Sequence, residues 1–431
     1  MSYQLIPRWS KITLPLMSER RANRVLMPLE EAWLRITEVA QAHRIAKTQQ
    51  VATFDALHRV LAEDVISGIT VPPADNTSMD GYAVRSGDIT QAGARLRVTQ
   101  RIAAGQVGHA LEPGTAARIF TGAPIPPGAD AVIMQERCTP VSDEEVRIDE
   151  VPTPGQWIRR QGEDIEMGRI VLAQGARLTP QALGLAASVG QSSLRVLRQP
   201  RVSLFSTGDE LVMPGEPLRE GAIYNSNRFT LKALLQALGC EVRDLGIVPD
   251  RLEATCEALR EAARDSDLIV TSGGVSVGEE DHLRPAVNRL GQLDLWQIAI
   301  KPGKPLAFGR ISRPKDSDCL YIGMPGNPVS SFMTALLFVE PVLRSLQGMP
   351  LTSPKRVALR ADFDWLQPDK RREFLRVRLN GQGGLDLFGN QSSGVLTSVA
   401  WADGVVDNPP GEVIRRGDRV NFIDFNDWIY R

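Results

Sequence analysis

Three short apolar runs, each followed by a glycine-containing turn, constrain the fold of this chain more than any other feature. The runs are residues 268–270, 296–300 and 320–322. The loops that follow them are residues 271–282, 301–305 and 323–328, respectively. Apolar runs of this length, separated by helical segments, predict central strands of an α/β sheet. Ligands bind such sheets outside the carboxyl ends of the strands. We therefore expect the three loops to converge on one pocket.

The first of these loops excludes an ordinary nucleotide phosphate loop. Residues 273–278 have the span of a Walker A loop, but Glu279 and Glu280 stand where a lysine and a hydroxyl residue are required. The missing positive charge is available from Lys301 and Lys304 in the next loop. Exposed amides, two lysines and three carboxylates suit a polyanionic ligand handled with a divalent cation. The alternative interpretation is a glycine hairpin with two solvated lysines.

Length and composition set the broad class. A chain of 431 residues exceeds the usual size of one core, so two to four domains are expected. A formal net charge of −1 gives no overall attraction to nucleic acid or to an anionic membrane. No apolar run reaches the ~18 residues of a membrane span. The four cysteines are far apart, which favours reduced thiols in the cytoplasm over a disulfide framework or a zinc site.

Changes of pattern predict a discontinuous first domain. Residues 1–26 mix basic and apolar residues without a secretory signal, so we expect a flexible extension, or a translation start nearer Met17 or Met27. Apolar residues recur at helical spacing over residues 28–65, and the same spacing returns over residues 179–189. The alternating segments between them predict an inserted β lobe at 67–150, interrupting a domain made of 27–66 and 151–198.

The second half of the chain divides into two further predicted domains. Residues 199–349 alternate strands and helices, which predicts a doubly wound, mainly parallel sheet. The last helix of this unit begins after Asn327 as N-cap, with Pro328 at the first helical position. Residues 350–431 alternate with period two around glycine turns and predict a small β barrel or sandwich.

Acidic residues also follow other predicted strands of the α/β unit. Asp209 and Glu210 come after the first strand, and Asp250 follows the next. At a strand's carboxyl end they are candidate magnesium ligands, because magnesium prefers oxygen donors and needs few from the protein. The alternative is an acidic cap at a helix N terminus.

Seven short motifs, taken together, resemble one known family. In chain order they are Ser78-Met-Asp-Gly-Tyr-Ala83, Thr121-Gly-Ala-Pro124, Arg160-Gln-Gly-Glu-Asp-Ile165, Ser206-Thr-Gly-Asp-Glu210, Ser272-Gly-Gly-Val-Ser-Val-Gly278, Lys301-Pro-Gly-Lys-Pro305 and Pro325-Gly-Asn-Pro328. Their set and order resemble the molybdopterin molybdenumtransferase family, the MoeA type that also forms the C-terminal part of gephyrin. Any one motif is weak, whereas seven in the family's order are highly specific.

The resemblance implies a fold, a reaction and partners. It implies an elongated four-domain protomer that forms a homodimer, with one domain that binds the pterin. The implied reaction converts adenylylated molybdopterin and molybdate into molybdenum cofactor, releases AMP and is assisted by Mg²⁺. The implied protein partners are the molybdopterin adenylyltransferase and the downstream molybdoenzymes. Neither nucleic acid nor a membrane is expected to take part.

The resemblance also assigns roles by motif position. The catalytic or metal-binding residues are Asp80, Thr121, Asp164, Glu210, Asp250 and Asp281, of which Glu210, Asp250 and Asp281 are the candidate metal ligands. The residues assigned to the pterin, its phosphates or molybdate are Ser206, Thr207, Gly208, Ser272, Gly273, Gly274, Ser276, Gly278, Lys301, Lys304, Pro325, Asn327 and Ser330. Asp80 and Thr121 belong to the lobe that a partner protomer would present to the active site.

Two departures and two alternatives remain open at this point. Residues 1–26 have no counterpart in the family pattern, and Asn225 stands where an aspartate is common, which makes it a poor metal ligand. A scaffold or anchoring protein of the same fold has no need of the retained acids and lysines. An adenylyltransferase of the same pathway has no need of the lobe with Asp80 or of the last β domain. Neither alternative is favoured, and the preference between molybdenum and tungsten is left open.

Overall fold

The computed structural model describes residues 26–274, 282–313 and 317–431. In the N-terminal region its elements are α1 (Leu29–Ala42), β1 (Thr48–Ala52), β2 (Val65–Ile66), β3 (Asn76–Thr77), β4 (Gly81–Val84), β5 (Ala94–Ile102), β6 (Thr115–Ile119), β7 (Ala131–Met134), β8 (Cys138–Ser142), β9 (Glu145–Ile148), β10 (Ile158–Arg159), β11 (Ile170–Leu172), α2 (Pro180–Ser188) and β12 (Ser193–Leu197).

The first helix is shorter than its sequence pattern predicts. Helix α1 has acidic residues in its first turn, buries Ala32, Ile36 and Ala40, and ends at Ala42. The helix expected over residues 28–65 is therefore wrong beyond that point. β1 instead pairs antiparallel with β12, and β2 with β11. Pairing with strands more than a hundred residues away overrides the local helical spacing.

The β lobe contains a six-stranded sheet with the order β7-β4-β6-β5-β9-β8. Its neighbours are antiparallel except β5 and β6, which run parallel. Gly81 lets β4 and β7 approach closely, because a Cβ atom there would lie 1.8 Å from the Ile133 carbonyl oxygen. The lobe has its own buried core, which includes Tyr82, Val84 and Ile133.

The central region is the α/β unit. Its elements are β13 (Arg201–Thr207), β14 (Leu211–Val212), β15 (Ile223–Tyr224), α3 (Ser226–Ala237), β16 (Glu241–Val248), α4 (Leu252–Asp265), β17 (Leu268–Ser272), α5 (Leu283–Leu290), β18 (Gly291–Gln297), β19 (Ile300–Lys301), β20 (Pro305–Ile311), β21 (Cys319–Met324), α6 (Pro328–Thr334), a π-helical turn (Ala335–Val339) and α7 (Glu340–Leu346).

The main sheet of this unit has the order β16-β13-β17-β21-β20-β18. The first four strands are parallel, β20 runs antiparallel to β21, and β18 runs antiparallel to β20. Alternate residues face two separate cores: Leu204 and Val270 lie in one, whereas Phe205 and Ile269 lie in the other. Helices therefore cover both faces, as the doubly wound, mainly parallel prediction requires.

One predicted central strand is wrong. The run at residues 296–300 is divided between β18, which is an antiparallel edge strand, and the short β19. β19 leaves the sheet and pairs parallel with a strand of the C-terminal barrel, placing Lys301 opposite Glu373. The apolar residues of this run are buried because two units meet there, and periodicity alone does not distinguish such a junction from a central strand.

The helix from Pro328 to Leu346 is long and apolar enough, by length and composition, to cross a membrane. Its whole apolar window is buried inside the protein. Since a helix that is apolar all round suits the centre of a large core equally well, its burial accounts for its composition.

The C-terminal region closes into a barrel. Its elements are β22 (Val357–Ala361), β23 (Arg372–Leu379), β24 (Gly384–Leu387), α8 (Thr397–Trp401), β25 (Gly404–Asn408), β26 (Arg419–Asp424) and α9 (Phe425–Tyr430). The order β23-β24-β22-β26-β25 is closed by the pairing of β25 with β23. Closure removes the exposed sheet edges that a flat sheet of this size would present.

Candidate active site

The carboxyl ends of four parallel strands meet at one edge of the main sheet. The register sets Thr207 opposite Val248, Ser206 opposite Ser272, and Ser272 opposite Met324. Among the strands of the main sheet, the next one in the chain after β13 is β16, which lies on one side of it. The strand after that, β17, lies on the other side, so the strand order reverses here. Open α/β sheets bind ligands at such a switch point. We call this region the strand-end cleft.

Hydroxyl groups and glycines line the floor of the strand-end cleft. The hydroxyl oxygens of Ser206 and Ser272 lie 3.1 Å apart, and both residues are buried. The Gly273 amide donates to the Met324 carbonyl at 3.1 Å, and its φ of +90° favours glycine. A Cβ atom at Gly273 would lie 2.8 Å from the Thr207 carbonyl oxygen. The turn after β17 therefore has no room for a side chain on this side.

Two helix N termini approach the loop after β21. The Asn227 side-chain amide, in the first turn of α3, donates to the Gly326 carbonyl at 2.7 Å. Helix α6 begins two residues later, after Asn327. The partial positive charges of two N termini favour an anion near this loop. Asn225 is 2 % exposed, and its Oδ1 accepts a hydrogen bond from the Arg228 amide. This uncharged residue is therefore the N-cap of α3.

Two of the predicted carboxylates lie at the same edge. Glu210 is exposed, and its carboxylate lies over Gly208, where a Cβ atom would be 2.6 Å from Oε2. Asp250 follows β16 and is half-buried. The third candidate ligand, Asp281, lies outside the described residues. Within the ranges that the structure describes, no group of three or more His, Cys, Asp or Glu residues forms a metal site.

The two predicted lysines have different surroundings. The pairing of Ala307 with Gly323 brings the beginning of β20, and Lys304 before it, to the edge that holds the strand-end cleft. Lys304 is exposed and has no ion-pair partner among the described residues. Lys301 instead contacts the barrel, with its ammonium 3.1 Å from Glu373 and 3.6 Å from Asp369.

The remaining predicted ligands are distributed around this edge. Thr207 ends β13 and Gly208 follows it, Gly274 follows Gly273, and Pro325 follows β21. Ser330 is buried in the first turn of α6, and its carbonyl oxygen faces Gly303. Ser276 and Gly278 lie outside the described residues, as Asp281 does.

Asp80 and Thr121 form a second centre in the β lobe. Asp80 Oδ1 accepts from the Thr121 amide at 2.8 Å and from the Thr121 hydroxyl at 2.6 Å. These two hydrogen bonds, the hydroxyl's first, hold the pKa of Asp80 below its usual range. Within the described parts of one protomer, no hydrogen bond or ion pair joins either residue to the strand-end cleft.

Asp164 belongs to neither of these centres. It is exposed, and its amide donates to the Val71 carbonyl at 3.1 Å, beside the bridge between Val71 and Ile165. The structure therefore divides the predicted site residues among three places.

Three residues at the cleft were missed by sequence reasoning. Asn227 contacts the Gly326 loop, Glu373 holds Lys301, and the Ser393 carbonyl accepts from the Val329 amide at the start of α6 at 3.0 Å. The asparagine had a signal, since it lies in the stretch that contains Asn225. The other two lie in the barrel, far along the chain from any motif, and only the tertiary fold reveals them.

The fold and the two centres define a multidomain α/β protein with a strand-end cleft where helix N termini favour an anion. Family models match it in three consecutive segments. They are the MoeA N-terminal region (domain I and II) at residues 27–190, a probable molybdopterin binding domain at 203–345, and the MoeA C-terminal region (domain IV) at 358–425.

Relatives of known name match most of the chain. A molybdopterin molybdenumtransferase of Haemophilus influenzae is 47% identical over 303 residues, covering 70% of this chain and 74% of that protein. Molybdopterin molybdenumtransferase 2 of Mycobacterium tuberculosis is 37% identical over 384 residues, covering 86% and 93%. The chain therefore belongs to the molybdopterin molybdenumtransferase family.

Solved structures agree with this assignment. Two molybdopterin biosynthesis MoeA proteins of Pyrococcus horikoshii superpose with TM-scores of 0.71 and 0.78, at 34% and 28% identity. Each comparison covers 93% of this chain and at least 99% of the other. The resemblance of the seven motifs and the α/β multidomain fold are both confirmed. The domain boundaries and the roles of individual site residues stay predictions.

Proposed function

We propose that this chain inserts molybdenum from molybdate into adenylylated molybdopterin and releases AMP, the last common step of molybdenum cofactor biosynthesis. The observation that carries the proposal is the strand-end cleft, where the turn at Gly273, the loop at Gly326 and two helix N termini share one edge with Glu210 and Asp250. Molybdate and a phosphoanhydride are both anions, and such a cleft favours anions.

Different residues of the strand-end cleft bind the ligand, neutralise its charge and orient water. Backbone amides of the loop after β21 hydrogen-bond the phosphate of the pterin, above a floor formed by the buried Ser206 and Ser272, whose hydroxyls contact each other. Lys304, exposed at the same edge, neutralises the charge of the oxyanion. Glu210 and Asp250 accept hydrogen bonds from, and so orient, the water that reaches the phosphoanhydride.

The donor set at this edge fits magnesium. Glu210 and Asp250 offer the hard oxygen ligands that Mg²⁺ prefers, and they would hold the ion there. A bound Mg²⁺ would supply neutralisation of the negative charge on the phosphoanhydride. Two described carboxylates suffice, since magnesium usually keeps several waters.

We also propose that the working unit is a cytoplasmic homodimer supplied by the pathway's adenylyltransferase and serving downstream molybdoenzymes. Ile66 and Ile170 are paired across β2 and β11, yet they are 52% and 57% exposed, and Ile69 and Met167 nearby are exposed as well. A contiguous apolar face of this kind indicates an association surface. A second protomer would also bring another Asp80 to the cleft.

Turnover of defined substrates tests the enzymatic proposal. Purified protein given adenylylated molybdopterin, molybdate and Mg²⁺ is expected to release AMP and to yield cofactor that reconstitutes an apo-molybdoenzyme. AMP is measured by chromatography and cofactor by the recovered enzyme activity. Parallel reactions with tungstate establish the metal preference.

The controls separate binding from chemistry. Omission of molybdate, or chelation of Mg²⁺, is expected to suppress product formation. Binding of the pterin without AMP release by the wild-type protein would contradict the enzymatic proposal and leave an anchoring role for the same fold.

A further inference from the structure

We propose that Arg118 is a positioning residue for the reaction, because it fixes the backbone of the two segments that carry Asp80 and Thr121. This inference rests on the proposed function. Arg118 lies on β6, three residues before Thr121, and the sheet places it opposite Tyr82 on β4. No sequence motif singled it out.

The guanidinium of Arg118 binds both sides of the Asp80 segment. It donates to the Gly81 carbonyl at 2.8 Å and to Gln135 Oε1 at 2.6 Å. The backbone amide of Gln135 in turn donates to the Asp80 carbonyl at 3.0 Å. The main chain is thus held at Asp80 itself and at the next residue. A planar fork with fixed donor directions suits this double attachment better than a single ammonium.

Aromatic rings hold the guanidinium in place. Arg118 lies over the Tyr82 ring at 5.2 Å and over the Phe120 ring at 4.6 Å. Phe120 is the residue immediately before Thr121, so the same cation connects the Asp80 turn with the Thr121 turn. Its positive charge also lowers the pKa of Asp80, although less than the two hydrogen bonds from Thr121 do.

The neighbouring strand supplies a matched control. Arg101 on β5 is paired with Arg118 in the sheet, and its guanidinium lies 4.5 Å from the centre of the same Phe120 ring. Within the described residues the Arg101 side chain makes no hydrogen bond or ion pair, and it is exposed. Replacing it removes an equal charge and an equal ring contact without releasing the Asp80 segment.

Steady-state kinetics of AMP release test the inference in four variants. Arg118→Met is expected to lower kcat about 10- to 100-fold while KM for adenylylated molybdopterin changes less than about 2-fold, since the catalytic geometry is lost and the cleft is untouched. Arg118→Lys is expected to recover part of kcat. Arg101→Met is expected to stay within about 3-fold of the wild type.

Gln135→Ala removes the side-chain acceptor but keeps the backbone donor to Asp80, and it replaces Arg118→Met as the test if that variant does not fold. It is expected to lower kcat in the same direction by a smaller factor. Equal kinetics for Arg118→Met and Arg101→Met would overturn the inference, as would a raised KM with unchanged kcat. Absence of turnover in the wild type would contradict the proposed function instead, so the two failures are distinguishable.

Discussion

The strand-end cleft and the Asp80–Thr121 centre differ in how their polar groups are satisfied. In the cleft, Lys304 and Glu210 are both exposed, and neither has an ion pair among the described residues. In the lobe, the Asp80 carboxylate already accepts two hydrogen bonds from Thr121. The first region retains capacity for a ligand, and the second holds one carboxylate in a fixed orientation and charge state.

This difference assigns separate tasks to the two regions. A cleft that binds a large anion needs donors whose partners come from the ligand. A carboxylate that acts on a substrate needs support from the protein so that it is positioned before the substrate arrives. In the homodimer proposed above, the lobe of a second protomer would supply the half that the cleft lacks.

Subunit complementation gives the largest expected effect. Asp80→Asn and Glu210→Gln homodimers are each expected to lose AMP release at least about 100-fold, since each lacks one catalytic carboxylate. A heterodimer of the two, co-expressed with different tags and purified through both, is expected to recover about half of the wild-type rate. One of its two sites combines an intact cleft with an intact lobe.

The control heterodimer pairs Asp80→Asn with the Asp80→Asn/Glu210→Gln double variant and is expected to stay inactive. Glu220→Gln, which changes an exposed acid between β14 and β15, is expected to keep most of the wild-type rate. An inactive Asp80→Asn with Glu210→Gln heterodimer would place both tasks within one protomer.

The two lysines of one turn give an intermediate effect and separate binding from stability. Lys301→Met is expected to lower the free energy of unfolding by about 1–3 kcal/mol, because Glu373, only 1 % exposed, loses its ammonium partner. Lys304→Met is expected to change the stability by less than about 0.5 kcal/mol. It should raise KM for molybdate instead.

Urea unfolding and the molybdate dependence of AMP release measure the two effects. Lys47→Met, at an exposed position in the N-terminal region, is the control for loss of a surface charge and should leave both quantities unchanged. A stable Lys301→Met protein with a raised KM for molybdate would show that Lys301 exchanges its barrel contact for the ligand.

The smallest expected effect concerns the charge state of the lobe. Thr121→Val removes the hydroxyl that chiefly lowers the pKa of Asp80, so that pKa should rise towards its ordinary value of about 3.9. The depressed pKa of Asp80 stabilises the folded protein at pH values above the ordinary pKa of an aspartate. This stabilisation is lost as the pH falls through the pKa of Asp80 in the folded protein. The stability difference between variant and wild type should therefore shrink in acid.

Carbon NMR of labelled aspartate measures this pKa, with the Asp80 signal assigned by its loss in Asp80→Asn. Thr139→Val removes a comparable hydroxyl contact to Asp149 elsewhere in the lobe and should leave the Asp80 signal unchanged. An unaltered pKa of Asp80 in Thr121→Val would show that the Thr121 amide alone maintains the depressed value.

Local pattern predicted the parts of this molecule whose partners are close in the chain. The strands at residues 268–270 and 320–322 and the helix that follows Asn327 begin close to where spacing and capping place them. The helix expected over residues 28–65 failed because its second half pairs with distant strands. Glu373 could not be predicted beside Lys301, because the pairing of β19 with β23 is a tertiary contact without a local signal.

The short strand β19 also has a consequence for biosynthesis. Lys301 and Glu373 are 72 residues apart, so a ribosome needs about 4 to 14 s after making the first residue to deliver the second. Arg372, which contacts Glu30 of the first helix, is made with it. The contacts of the first helix and of the turn at Lys301 with the barrel can therefore form only after the barrel has been synthesised. In a nascent chain, the junction between these regions is incomplete until the last domain has left the ribosome.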